Sequence, residues 1–151
     1  RVTSISFGAE DFTRTLGATR TKQGNELFMA RSMIVMAAAI AGIDAIDTVW
    51  SNLDDEIGFE EEVKNIMEMG FSGKSCIHPS QIKIVHKIFT PSKEELEKSV
   101  QIVNAAKKAD ITKGGVITVN GKMVDIPVIA KAEKIVRLAK SSGMLKNMEV
   151  K

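Results

Sequence analysis

The sequence predicts an α/β fold with parallel strands, and three observations carry that expectation. Between residues 1 and 89, short β-rich apolar runs alternate with helix-length amphipathic stretches in the order strand, helix, strand, helix, strand, helix. Each strand-like run gives way at its carboxyl end to polar or acidic residues, where parallel α/β folds gather their functional groups. The composition, 44% hydrophobic and 26% charged over 151 residues, is that of an ordinary globular chain with material for one core.

Val2 to Phe7 is short, β-rich and followed by Gly8, so it reads as a strand whose end carries Ala9, Glu10 and Asp11. A helix follows from Asn25 to Ala41, with Leu27, Ala30, Ile34, Ala37 and Ala38 on one face and Gly42 as its stop. Ile43 to Val49 is a second apolar strand, ended by Trp50, Ser51 and Asn52. Asp54 to Met69 is a second helix: Asp54, Asp55 and Glu56 suit the positive end of its dipole, and Gly70 closes it. Lys74 to Ile77 forms a third strand, and His78 with Pro79 turns the chain into a third helix. Three such units cannot close a barrel. A (β/α)8 barrel takes about 250 residues, so they fit its last part with earlier strands missing.

The remainder departs from the alternation. Thr90, Pro91 and Ser92 with Glu95 resemble a capping box, and the helix they start runs to Asp110 before Gly114 and Gly115. Val116 to Val119, Asn120-Gly121 and Lys122 to Val124 make a hairpin, because Asn-Gly readily takes the positive φ angles of a two-residue turn. A last helix runs from Pro127 to Ser142. The expected division is therefore residues 1–89, strand-helix units, and residues 90–151, a helical extension with hairpin and final helix.

Composition also excludes some functions. Net charge is only +2, with Lys and Arg scattered among Asp and Glu, so no nucleic-acid surface is indicated. The apolar stretch Met33 to Ile43 is too short for a bilayer, and no membrane association is expected. One cysteine, Cys76, and no charged-then-apolar leader pattern point to a reducing cytoplasm. The opening at Arg1, without Met and directly into a strand, reads as a chain cut from something longer.

Several side chains have the chemistry of a site. Asp11 and Glu10 lie just past a strand end, and carboxylate oxygens are the ligands Mg2+ prefers; a helix-capping or solvated acid is the other reading. Arg20 and Thr21 sit in a polar loop and suit either solvent or an anion. Asp47 ends the second strand, and a buried acid there needs a partner, for which Lys74 on the next strand is the candidate. His78 has no Ser or Cys nucleophile in frame and reads as a turn residue, His86 as helix surface. Cys76 reads as a small core residue within a strand, and Phe71, Met67 and Met69 as core filler. Asp125, before Pro127, is an N-cap on position alone.

Taken together, several segments resemble the citrate lyase beta subunit, a branch of the HpcH/HpaI aldolase and citrate lyase family. They are Phe7-Gly8-Ala9-Glu10-Asp11-Phe12, Arg20-Thr21-Lys22, Gly24-Asn25-Glu26-Leu27, Ala30-Arg31 and Ile34-Val35, then Ala45-Ile46-Asp47-Thr48-Val49 and Asp54-Asp55-Glu56-Ile57-Gly58-Phe59. Gly70-Phe71-Ser72-Gly73-Lys74, Ile77-His78-Pro79 with Gln81-Ile82, and Asn120-Gly121-Lys122-Met123-Val124-Asp125 with Pro127 follow in order. The resemblance spans nearly the whole chain.

The resemblance implies the carboxyl-terminal part of a (β/α)8 barrel of the phosphoenolpyruvate/pyruvate type. It implies cleavage of a citryl thioester into an acetyl thioester and oxaloacetate. It places a Mg2+ ligand on Asp11, with the second ligand, a Glu, and a substrate Arg expected upstream of Arg1. Asp125 would belong to a lid reaching a neighbouring subunit's site and act catalytically there, and Ile77, His78 and Pro79 would lie by the thioester carrier. Implied partners are an acyl carrier protein with a coenzyme A-like arm (the gamma subunit), an alpha subunit and further copies of the chain. The alternatives are a coenzyme A-linked malyl or citramalyl lyase, or a non-catalytic piece able only to assemble.

Overall fold

The computed structural model describes residues 1–109 and 115–144, which fall into two compact units, Arg1–Phe89 and Thr90–Lys151. In the first unit, strands β1 (Ser4–Ser6), β2 (Asp44–Asp47) and β3 (Gly73–Lys74) form one parallel sheet in that order. Ser4 lies opposite Asp44, Ser6 opposite Ile46, and Asp47 opposite Lys74. Parallel neighbours require crossovers, and helices supply them: α2 (Phe28–Ala41) between β1 and β2, and α3 (Glu56–Met69) between β2 and β3, with α4 (Pro79–Phe89) following. All three strands run the same way, so their carboxyl ends share one edge of the sheet.

Three apolar clusters cover the helix-facing side. Ala38, Ala45, Ile66 and Phe71 lock α2 and α3 onto β2. Phe7, Ala9 and Leu27 close the start of the unit, with the Phe12 ring edge-on to Phe7. Trp50, Phe59 and Val63 receive Ile84, Val85 and Ile88 from α4. α3 begins where Asp55 accepts a bond from the Gly58 backbone N–H, and it stops at Gly70, whose φ of 106° suits only glycine.

Several expectations are corrected. The segment after β1 is a helix, α1 (Ala9–Leu16), not an open strand end; its Thr13 and Thr15 hydroxyls bond back to the carbonyls of Ala9 and Asp11, which disguises a helix in a β-branched stretch. A 3-10 turn, Asn25–Leu27, precedes α2. β3 ends at Lys74, so Cys76 is an exposed loop residue and not core. Ala37 and Met67 are exposed as well, whereas Arg31, on the inward face of α2, is 2% exposed.

In the second unit, α5 (Lys93–Lys108) carries the full capping box between Ser92 and Glu95. The expected end of this helix at Asp110, and Gly114, lie outside the described residues. β4 (Val116–Val119) and β5 (Lys122–Asp125) pair antiparallel through Asn120 and Gly121, whose φ values of 49° and 75° are those of the primed turn. α6 (Ile126–Ser141) follows, and among the described residues of this unit Leu96, Val103, Val124, Ala132 and Ala139 are the buried apolar ones.

Candidate active site at the carboxyl edge of the sheet

The carboxyl ends of β1, β2 and β3 are held by one buried ionic cluster. Arg31 grips Asp47 with two parallel bonds, Nε to Oδ1 and Nη2 to Oδ2, each 2.9 Å. Lys74 Nζ donates to Asp47 Oδ2 at 2.9 Å, to Glu62 Oε1 at 2.6 Å and to the Thr48 carbonyl at 2.8 Å, while Arg31 Nη2 lies 3.0 Å from Glu62 Oε2. Two cations face two anions, so the cluster is neutral as a whole. Burial works against the charged form of Arg31, yet the bonds and charges of Asp47 and Glu62 outweigh it and raise its pKa. The Asp47–Lys74 pair matches the partnership expected from adjacent strands.

The cluster reaches the β1 end through Thr48, whose Oγ1 accepts the Ala9 backbone N–H at 3.1 Å. Ala9 opens α1, so the start of the helix that carries Glu10 and Asp11 is tied to the rigid β2 end. Asp11 itself is free of that anchoring: its carboxylate is 79% exposed and, among the described residues, bridges only to Arg14, one turn on, at 2.8 Å. Glu10 lies 3.5 Å from Arg20 Nε. An exposed hard-oxygen donor at a strand's carboxyl end fits Mg2+, which typically takes one or two carboxylates and completes its shell with water or substrate. Among the described residues no group of three or more His, Cys, Asp and Glu side chains converges, so Asp11 can be only one member of such a shell.

Arg20 links this edge to the next loop. Its Nη1 lies 3.3 Å from Glu26 Oε1, and its Nη2 lies 3.8 Å from Glu62 Oε2. Burial penalises the Glu26 charge, but bonds from the Thr21 backbone and hydroxyl and from Arg20 prevail and hold its pKa at about 2. A depressed carboxylate pKa adds stability that is present above the unfolded value, near 4.5, and is lost as pH falls through the folded value. Acid titration of Glu26→Gln against the parent, followed by urea midpoints, should therefore show a stability gap at pH 6 that closes between about pH 4.5 and 2.

A cavity of about 210 Å³ opens beside this loop, lined by Arg20, Lys22, Trp50, Ser51, Asn52 and Asp55 among others. Lys22 spans to Asp55 at 2.7 Å, and with the Gly58 N–H it holds the Asp55 carboxyl below the usual range. A Cβ on Gly58 would collide with the Asp55 carboxylate and meet Lys22 Cε at 2.8 Å, so a larger residue there would push the Lys22–Asp55 pair aside.

The Ile77-His78-Pro79 turn lies past β3. Its Ile77 N–H bonds to Gln81 Oε1 at 2.9 Å, and buried Gln81 donates in turn to the Trp50 carbonyl at 2.9 Å, joining the third loop to the second. His78 is exposed, with Nδ1 2.9 Å from Ser80 Oγ. In the second unit Asp125 is the N-cap of α6, its Oδ1 accepting the Val128 N–H at 3.1 Å. The sequence assigns Arg31, Trp50 and Gln81 places in strands and motifs but no role in a site, and it singles out Glu62 nowhere. The signal was a charged residue at an inward helical position, as Glu62 stands beside Val63 and Ile66 on the buried face of α3.

The family model described as HpcH/HpaI aldolase/citrate lyase matches residues 1–79. The chain is similar to citrate lyase subunit beta of Haemophilus influenzae, 43% identical over 141 residues, covering 93% of this chain and 48% of that protein. It is also similar to mitochondrial citramalyl-CoA lyase of Mus musculus, 36% identical over 138 residues, covering 91% of this chain and 41% of that protein. A solved structure of protein CitE from Mycobacterium tuberculosis, in complex with magnesium, acetoacetate and coenzyme A, superposes with a TM-score of 0.68 at 35% identity, covering 89% of this chain and 51% of that one. The chain thus spans about half the length of the relatives it matches.

Proposed function

The chain belongs to the HpcH/HpaI aldolase/citrate lyase family, and from that premise we propose that it is the carboxyl-terminal portion of a (β/α)8-barrel lyase that cleaves a citryl thioester into an acetyl thioester and oxaloacetate. The observation that carries this reading is the exposed Asp11 carboxylate, placed at the carboxyl end of β1 on a helix whose first N–H is fixed to the β2 end. Magnesium fits as cofactor: Asp11 would hold it together with a carboxylate from outside these residues. The bound ion would supply Lewis acidity, lowering the pKa of the substrate hydroxyl and orienting the bond to be cut.

The chain's own residues have separate tasks. The Arg31, Asp47, Glu62 and Lys74 cluster keeps the three strand ends from moving while Asp11 stays accessible. Loss of the substrate hydroxyl proton breaks the carbon–carbon bond and leaves a thioester enolate, which needs a proton on carbon. Asp125, carried on a lid over a neighbouring subunit's site, would donate it. The Ile77-His78-Pro79 turn would border the thioester arm. A carrier protein with a coenzyme A-like arm, an alpha subunit, further copies of the chain and a cytoplasmic setting complete the reading. Among the described residues no helix is long and apolar enough to cross a membrane.

Asp125→Asn in the intact protein is a clean test of the lid acid, because Asn caps a helix about as well as Asp. Folding and metal binding should persist while the rate falls by about a hundredfold or more. Retention of the rate would make Asp125 a cap and nothing else. The second reading, a coenzyme A-linked lyase for citramalyl or malyl thioesters, is favoured by the 36% identity to the citramalyl enzyme. Turnover of free citryl-coenzyme A equal to that of the carrier-bound form would support it over the citrate enzyme. A piece able only to assemble would release no oxaloacetate in either case.

A further inference from the structure

Two residues that line the cavity beside Arg20 each carry a buried donor with no hydrogen-bond partner among the described residues. Trp50 is 6% exposed, and its Nε1 is buried with no hydrogen-bond partner among the described residues; the same holds for Arg20 Nε. Both residues line the one cavity. Buried donors are nearly always paired, and an orphan costs as much as a lost hydrogen bond, so two of them on residues that line one cavity point to a place for a ligand's oxygen atoms. The indole is not loose: Gln81 holds the Trp50 carbonyl, and the ring packs against Phe59 with centroids 6.4 Å apart.

The charges select the kind of oxygen. On the cavity wall Arg20 and Lys22 stand against Asp55 alone, and Lys22 and Asp55 already neutralise each other. The Nη groups of Arg20 face Glu26 and Glu62, which leaves the Nε edge, where Glu10 stands at a stretched 3.5 Å. A carboxylate entering the cavity, with a side-chain shift that uncovers the two buried donors, can take the Nε–H and the indole N–H, one oxygen to each, and replace that weak contact with a charge-assisted bond. A volume of about 210 Å³ holds a short carboxylate arm easily.

We propose that this cavity is a carboxylate subsite, in which Trp50 Nε1 and Arg20 Nε receive the carboxylate arm that a citryl thioester carries and a citramalyl thioester lacks. The inference rests on the thioester-lyase reading for its substrate, and it makes Trp50 and Arg20 the residues that separate the two relatives' substrates. In the intact enzyme Trp50→Phe keeps the ring and removes the N–H. Its kcat/KM should fall by about ten- to a hundredfold with the citryl thioester and change by less than about twofold with the citramalyl thioester. Equal losses with both substrates, or no loss with either, overturn the subsite.

If the parent enzyme turns over neither thioester, the lyase reading fails, and the subsite is then decided by binding. Trp50 is the chain's one tryptophan and the chain has no tyrosine, so its emission reports on the cavity. Titration of the 151-residue chain with tricarballylate at constant ionic strength should give a saturable change, weakened about tenfold by Arg20→Lys. A flat titration, or the same response to chloride, overturns the proposal.

Discussion

Asp47→Ala should destabilise the first unit by about 3–5 kcal/mol, read as a shift in urea midpoint at unchanged slope. The aspartate is fully buried and accepts two bonds from Arg31 and one from Lys74, so its removal leaves two cations facing one carboxylate away from water. Such a loss is comparable with the whole stability of a small domain, about 5–15 kcal/mol. The exposed Lys64–Glu60 pair on α3 is the matching control, and Lys64→Ala should leave the midpoint where it is. An unchanged midpoint for Asp47→Ala would mean that water enters the cluster freely.

Asp11→Ala in the intact protein should have the opposite profile. Among the described residues its carboxylate bridges only to Arg14, and it is largely in solvent, so the melting curve should hardly move. Magnesium-dependent oxaloacetate release should drop by at least about a hundredfold, because a metal that no longer sits correctly loses several kcal/mol of transition-state stabilisation. Unaltered turnover would remove Asp11 from the metal shell. Together the two substitutions separate the rigid cluster from the group it positions.

Local rules found what local physics determines. The Ser92 and Glu95 box, the Asn120-Gly121 turn and the glycine stops at Gly42 and Gly70 depend on a few neighbouring residues, and each was readable. The Asp47–Lys74 pair was also within reach, since parallel neighbours place successive strand ends side by side. Helix α1 was not, because Thr13 and Thr15 lower its helix propensity while their hydroxyls satisfy carbonyls one turn back. Arg31 escaped because helix periodicity sorts charged residues outward, and only tertiary pairing with Asp47 and Glu62 makes an inward guanidinium tolerable. The cavity was invisible for a related reason: Arg20 and Trp50 are 30 positions apart and meet only once the loops after α1 and β2 are folded.

The ionic cluster also bears on the order in which the chain can fold. Its members occur along the sequence as Arg31, Asp47, Glu62 and Lys74, in the order positive, negative, negative, positive. The first two form a neutral pair as soon as β2 docks, and the last two add a second neutral pair when α3 and β3 arrive. A chain emerging from its amino end can therefore close one strand-helix-strand unit after another, and at neither stage must an uncompensated charge leave water.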